Sequence, residues 1–148
     1  LIGNKMGDIQ AGTFNSPPQL RDLMLYGNKL IHLRSDMFIG LGNLQDLRLY
    51  NNEISDIQAG TFNSTPQLRI LSLGNNKLTN LGSDMFTGLG NLQDLRLYNN
   101  EISDIQVGTF NPMPQLRTLH LRFNRFEVLK AEMFAILSSI STVNIDNN

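Results

Sequence analysis

The sequence predicts a curved repeat solenoid of the α/β type, with a parallel β-sheet on its concave face and irregular or short helical segments on its convex face. Three observations predict it. A frame L-x-x-L-x-L-x-x-N, seen at Leu44-Gln45-Asp46-Leu47-Arg48-Leu49-Tyr50-Asn51-Asn52, returns every 24 residues without insertion or deletion. Its first apolar residue falls at Leu20, Leu44, Leu68, Leu92, Leu116 and Ile140, and its closing residue at Asn4, Asn28, Asn52, Asn76, Asn100, Asn124 and Asn148. A phenylalanine keeps step outside the frame, at Phe14, Phe38, Phe62, Phe86, Phe110 and Phe134. A fixed period of this length marks units that cannot bury an apolar face alone and must stack on their neighbours.

Each element of the unit has a reason. The alternation in Leu47-Arg48-Leu49 makes a short strand with its leucines inward. Stacking one strand per unit gives a parallel sheet at about 4.8 Å per coil. The inward set of one coil is Leu44, Leu47, Leu49, Ile54, Ile57 and Phe62, each gaining roughly 1.5–3 kcal/mol when neighbouring coils cover it. The Phe column fills the convex side, and the wider returning segment makes the stack curve. The repeated Asn reads as a buried amide ladder that satisfies loop backbone groups of adjacent coils.

Between strands the units alternate in kind. One kind runs from Asn52 to Phe62 and is followed by a turn that holds proline; all five prolines (Pro17, Pro18, Pro66, Pro112, Pro114) fall in such turns. The other runs from Asn76 to Phe86 and is followed by Thr87-Gly88-Leu89-Gly90-Asn91. Residues 41–69 and 89–117 differ only at Ala59/Val107, Ser64/Pro112 and Thr65/Met113, so a 48-residue pair has been copied along the chain. The last unit, from Arg125 to Ser139, drifts furthest.

Residues 1–148 are expected to form a single domain of six 24-residue periods. Leu1-Ile2-Gly3-Asn4 aligns with Leu25-Tyr26-Gly27-Asn28 and the sequence closes on Asn148. Both ends are therefore expected to be uncapped, to be covered either by caps outside this sequence or by another surface. A net charge of −1 and a pI near 6.1 give no basic field for nucleic acid. No apolar run approaches the roughly 18 residues that would span a bilayer, and no signal-peptide pattern is present. Cysteine is absent, which removes disulfide, thiol-redox and thiolate-metal chemistry.

With leucine and asparagine assigned to the fold, functional information is expected at the outward third, fifth and seventh places of the frame. The third place reads Asp22, Asp46, Ile70, Asp94, Thr118, Thr142; the fifth reads Met24, Arg48, Ser72, Arg96, His120, Asn144; the seventh reads Tyr26, Tyr50, Gly74, Tyr98, Arg122, Asp146. All three tyrosines share one column. Tyr and Arg combine large contact area with a polar handle and are enriched at binding hot spots. The candidate ligand-binding residues are Tyr26, Arg48, Tyr50, Ile70, Arg96, Tyr98, His120, Arg122 and Phe123. Two readings compete with binding: Asp46–Arg48 and Asp94–Arg96 neutralise each other, and copying alone repeats the tyrosines. His120, Arg122 and Phe123 stand where the copied units carry Arg, Tyr and Asn, by ligand contact or by drift toward the C-terminal end.

Catalysis is not expected. The only histidines, His32 in a convex-side loop and His120 on the concave face, lie on different surfaces. There is no phosphate-cradling loop, no paired-carboxylate signature and no convergent oxygen set for a cation, so neither metal nor cofactor is expected. Asn63-Ser64-Thr65 fits the glycosylation pattern, with Pro66 following.

The signature L-x-x-L-x-L-x-x-N-x-I-x-x-I-x-x-G-x-F, matched from Leu44 to Phe62 and spread over the whole chain, resembles the typical 24-residue subtype of leucine-rich repeats. Within that subtype, the near-identical copies look most like variable lymphocyte receptors and Toll-like receptor ectodomains. The resemblance implies a horseshoe, an extracellular setting (secreted or at the cell surface), and a non-catalytic immune recognition module. Such a module binds a protein antigen or a microbial glycan surface through the concave sheet. It departs from the pattern in lacking cysteine-rich caps. The alternative is a structural or adhesion protein acting by matrix contact or self-association, as a homodimer through the uncapped ends or the concave face.

Overall fold

The computed structural model describes residues 2–15 and 19–148; the predicted turn prolines Pro17 and Pro18 lie outside them. Six three-residue strands form the main sheet: β1 (Asp22–Met24), β3 (Asp46–Arg48), β5 (Ile70–Ser72), β7 (Asp94–Arg96), β9 (Thr118–His120) and β10 (Thr142–Asn144). Their order is β1-β3-β5-β7-β9-β10, all parallel, and each residue pairs with the one 24 places on, as in Leu47↔Leu71↔Leu95↔Leu119. Backbone pairing continues past the strands, with Leu49 N–H donating to Ser72 O at 2.8 Å and Asn51 N–H to Gly74 O at 3.1 Å.

The returning side is largely irregular. Two two-stranded pieces appear there, β2 (His32–Leu33) with β4 (Asp56–Ile57) and β6 (Asn80–Leu81) with β8 (Asp104–Ile105). The sequence did not announce these, because two residues are too few to show a period. The helical content among the described residues is one 3₁₀ turn, Ala131–Met133, in the unit that drifts furthest.

The expected inward set is the core: Leu44, Leu47, Leu49, Ile54 and Phe62 are fully buried and Ile57 nearly so. The rings of Phe38, Phe62 and Phe86 stack at 6.3 and 6.4 Å, and Phe110 with Phe134 at 5.8 Å. On the strand side, Tyr26 and Tyr50, also one coil apart, stack at 4.4 Å. The coils are thus wider apart at the phenylalanines than at the tyrosines, and the stack fans open. That wedge is the source of the concavity on which the strands lie.

The asparagine ladder is built as its chemistry requires. Asn52 Nδ2 donates to Leu49 O of its own coil at 2.9 Å and to Leu25 O of the preceding coil at 3.0 Å, while its Oδ1 accepts Leu30 N–H at 3.1 Å. Asn76, Asn100 and Asn124 repeat the arrangement, and no buried side-chain nitrogen or oxygen among the described residues lacks a partner.

Outside the core, Glu53 bridges Lys29 at 3.0 Å and Lys77 at 2.7 Å, one coil to either side. Lys77, then Lys29, hold the Glu53 carboxyl below its ordinary value. A depressed carboxyl stabilises the fold above its unfolded pKa, and that contribution disappears as pH falls through the folded value. Lys77→Met is expected to raise the Glu53 titration midpoint, followed by carboxyl-carbon NMR; an unmoved midpoint would show that the bridge does not form in solution.

Candidate ligand-binding face

The strand alternation that sends Leu47 and Leu49 inward sends Asp46, Arg48 and Tyr50 outward, and the exact 24-residue pairing lines such residues into three columns. What each column does follows from what its members touch.

In the fifth-place column, the arginines are held by their own strands. Arg48 Nη2 lies 2.9 Å from Asp46 Oδ2, with Nε at 3.2 Å from both carboxylate oxygens. Arg96 repeats this on Asp94, with Nη2 at 2.7 Å. Both guanidinium pKa values rise because of these carboxylate hydrogen bonds. Asp46 is buried and Asp94 half-buried, so the acidic partners anchor both arginines to the floor. The neutralising arrangement considered from the sequence is therefore present, and Arg48 and Arg96 offer a ligand hydrocarbon and residual donors more than free charge. His120 joins the second pair, with Nε2 at 3.8 Å from Asp94 Oδ1. Half-buried Ile70 sits in register between Asp46 and Asp94, an apolar gap between two acid–arginine pairs.

The seventh-place column divides into two clusters. Tyr26 and Tyr50 stack with an interplanar angle of 9°. Burial, with the neighbouring Tyr26 phenol, pushes the Tyr50 hydroxyl pKa up. At the other end, the Arg122 guanidinium lies 5.7 Å from the Tyr98 ring centre and 5.7 Å from that of Phe123. Arg122 is exposed and has no carboxylate partner among the described residues. Tyr98, Arg122 and Phe123, with Asn75 and Asn99, line an open groove of about 330 Å³.

Between the clusters lies Gly74, which sequence reasoning passed over. Tyr98 lies flat on it: a Cβ there would come within 2.6 Å of Tyr98 Cε2 and 2.7 Å of Cε1. A side chain at this place would displace Tyr98 from its present position, and a tyrosine would turn the contact into a ring stack like that of Tyr26 on Tyr50. The face is thus one aromatic pair, a glycine gap, and a second aromatic cluster carrying a cation.

A second feature went unread. The eighth place of every frame, Gly3, Gly27, Asn51, Asn75, Asn99, Phe123 and Asn147, has φ between 51° and 71°. Gly tolerates this and Asn does so better than most residues; a bulky Phe is an outlier. The signal was available in the column itself, since only Gly and Asn occupy it apart from Phe123. Three of the asparagines form an exposed ladder, Asn75 Nδ2 donating to Asn51 Oδ1 at 2.7 Å and Asn99 Nδ2 to Asn75 Oδ1 at 2.6 Å.

The remaining sequence candidates fall elsewhere. His32 lies 3.8 Å from Asp56 on the returning side, apart from His120. Asn63 is exposed, but the Thr65 hydroxyl of its glycosylation pattern is buried and donates to Phe62 O at 3.0 Å. Among the described residues no three His, Asp or Glu side chains converge as a metal site would require, and no helix is long and apolar enough to cross a membrane.

Comparison with known proteins agrees with this geometry. The family model for leucine rich repeats matches residues 1–54, 42–102 and 90–148, which together cover the chain. No curated protein matches it. Among solved structures, it superposes on a chain of the Toll–Spatzle complex, glycosylated form, from Drosophila, described as a molecular hub in development and innate immunity. The TM-score is 0.86 at 29% identity, covering 97% of this chain and 21% of that one. The chain thus spans about a fifth of the length of that relative.

Proposed function

From the premise that this chain belongs to the leucine-rich repeat family, whose repeats build protein-interaction modules, we propose that it is a recognition module of an extracellular, innate-immune type. It binds a protein ligand, on a microbial surface or as a free antigen, through the concave sheet. The observation that carries this is the cluster of Tyr98, Arg122 and Phe123 seated on Gly74. A guanidinium without a carboxylate partner, held between a half-buried ring and an exposed one, is the composition of a hot spot, and the rings are already placed before any ligand arrives. The comparison structure is of a complex of Toll with Spatzle, which supports a binding partner for this chain as well.

The test is to pan a displayed form of the chain against secreted proteins and against bacterial cells and cell-wall polymers, then to compare Tyr98→Ala/Arg122→Ala with the wild type. Captured protein ligands are expected to lose about 30-fold or more in affinity, the range of a two-residue hot spot. Gly74→Ala, which unseats Tyr98 without touching it, should reproduce part of that loss. Ligands that bind the folded double variant as well as the wild type would place recognition elsewhere.

A second reading, self-association in a structural or adhesive role, is favoured by the last coil. Val143 and Ile145 are exposed there, and with Leu129, Ala131, Lys130 and Phe134 they line an apolar hollow of about 400 Å³. A homodimer is expected on this reading, and sedimentation that finds only monomer at micromolar concentration would dispose of it.

A further inference from the structure

The exposed asparagine ladder has a direction and a gap. Each rung donates from Nδ2 to the Oδ1 of the preceding coil, Asn99 to Asn75 and Asn75 to Asn51. An asparagine at place 123 would continue it, donating to Asn99 Oδ1 and accepting from Asn147 Nδ2. Phe123 stands there instead and can do neither. Asn99 Oδ1 is therefore an open acceptor at the end of a polarised hydrogen-bond chain, and Asn147, two coils on, carries an amide with no hydrogen-bond partner among the described residues. An acceptor facing a donor across one missing rung is the complement of a single amide group.

The surroundings narrow what brings that amide. Asn99, Phe123 and Asn147 open onto a groove of about 640 Å³ on the rim of the sheet, floored by the buried asparagines. Its charged members are already matched: Lys77 with Glu53 at 2.7 Å and Arg125 with Glu101 at 3.0 Å. A neutral ligand fits it better than an ion. Phe123 is the groove's only apolar side chain, 48% exposed and held at φ 57°. A peptide would need further apolar pockets for its side chains, and none is present. The buried asparagines are taken up by backbone groups, so the groove supplies one aromatic face, Phe123, and the two open amide groups of Asn99 and Asn147, which a pyranose ring carrying one amide substituent matches.

We propose that this rim groove is a carbohydrate subsite for a neutral N-acetylated hexosamine, whose acetamido group replaces the missing rung between Asn99 and Asn147 while its ring stacks on Phe123. This groove shares Phe123 and Asn99 with the groove on the concave face, but sugar binding is read out separately from protein binding, so either reading can fail without the other.

The decisive variant is Phe123→Asn. It restores the rung and puts a residue that tolerates the left-handed region where Phe does not, so its melting temperature should rise while its sugar binding falls. Titrations would use the β1,4-linked N-acetylglucosamine tetrasaccharide, the glucose tetrasaccharide of the same linkage, and N-acetyl-tetraglycine amide. The N-acetylated sugar is expected to bind about tenfold or more tighter than the other two, and Phe123→Asn to weaken it by a similar factor, as loss of a stacking face and an open hydrogen-bonding gap implies. Phe123→Ala should lose affinity without the gain in melting temperature. No binding of the N-acetylated sugar, equal binding of the glucose tetrasaccharide or the peptide, or undiminished binding by Phe123→Asn would each overturn the proposal.

Discussion

Phe62→Ala is expected to destabilise the chain by about 4 kcal/mol, the range for deleting a fully buried phenylalanine. Its ring has no solvent exposure and stacks on both Phe38 and Phe86, so its loss opens a void between two coils. Neighbouring coils are the only source of burial in a stack of this kind, and nothing beyond them can repack into the gap. For a chain near 150 residues, this corresponds to a fall of roughly 10 °C in melting temperature. Phe134→Ala is the control: that ring is half-buried and stacks on Phe110 alone. Its loss should cost about half as much. Thermal denaturation of the two variants checks both statements, and equal losses would refute the account of the column.

Asn76→Ala is expected to cost roughly 2 kcal/mol, because it leaves the buried Ile54 N–H without its acceptor and takes one of two amide donors from each of two buried carbonyls, Leu49 O keeping Asn52 and Leu73 O keeping Asn100. Leu49 O and Leu73 O would each lose an Nδ2 donor at 3.0 Å, and Ile54 N–H would lose the Oδ1 acceptor at 2.9 Å. Asn76→Asp separates the two halves of the role. A carboxylate can still accept from Ile54 but cannot donate to the carbonyls, so this variant should be no more stable than Asn76→Ala. Asn148→Ala, where the equivalent residue is exposed, should stay within about 0.5 kcal/mol of wild type. Chemical denaturation curves of the three variants would measure this, and an Asn76→Asp variant as stable as wild type would remove donation from the explanation.

The fold was legible because its information is periodic. Leu44, Leu47, Leu49 and Asn52 each state their environment once per coil, and the structure buries each where the frame requires it. The outward columns were legible as positions but not as contacts. The Asp46–Arg48 pair was one of two readings the sequence left open, and a side-chain rotamer decides between them, while that Tyr98 lies on Gly74 depends on an absent side chain one coil away. A reading along the columns finds neighbours, whereas these outcomes are decided by which way a ring or guanidinium leans between them. The left-handed eighth place differs in kind. Its Gly and Asn residues spelled it out, and it was hidden only because the closing Asn next to it drew attention to the core.

Gly74 also bears on a difficulty that any copied surface creates. A ligand lying on a lattice that repeats every 48 residues would find two placements of nearly equal energy and could slip between them. Tyr50 and Tyr98 occupy corresponding places in the two copies, yet one leans on another tyrosine and the other on a glycine. Arg122 then marks one of the two ends with a charge that its counterpart lacks. The translational symmetry of the backbone survives while that of the proposed binding face is lost, so a partner that spanned Gly74 would have only one register in which to dock.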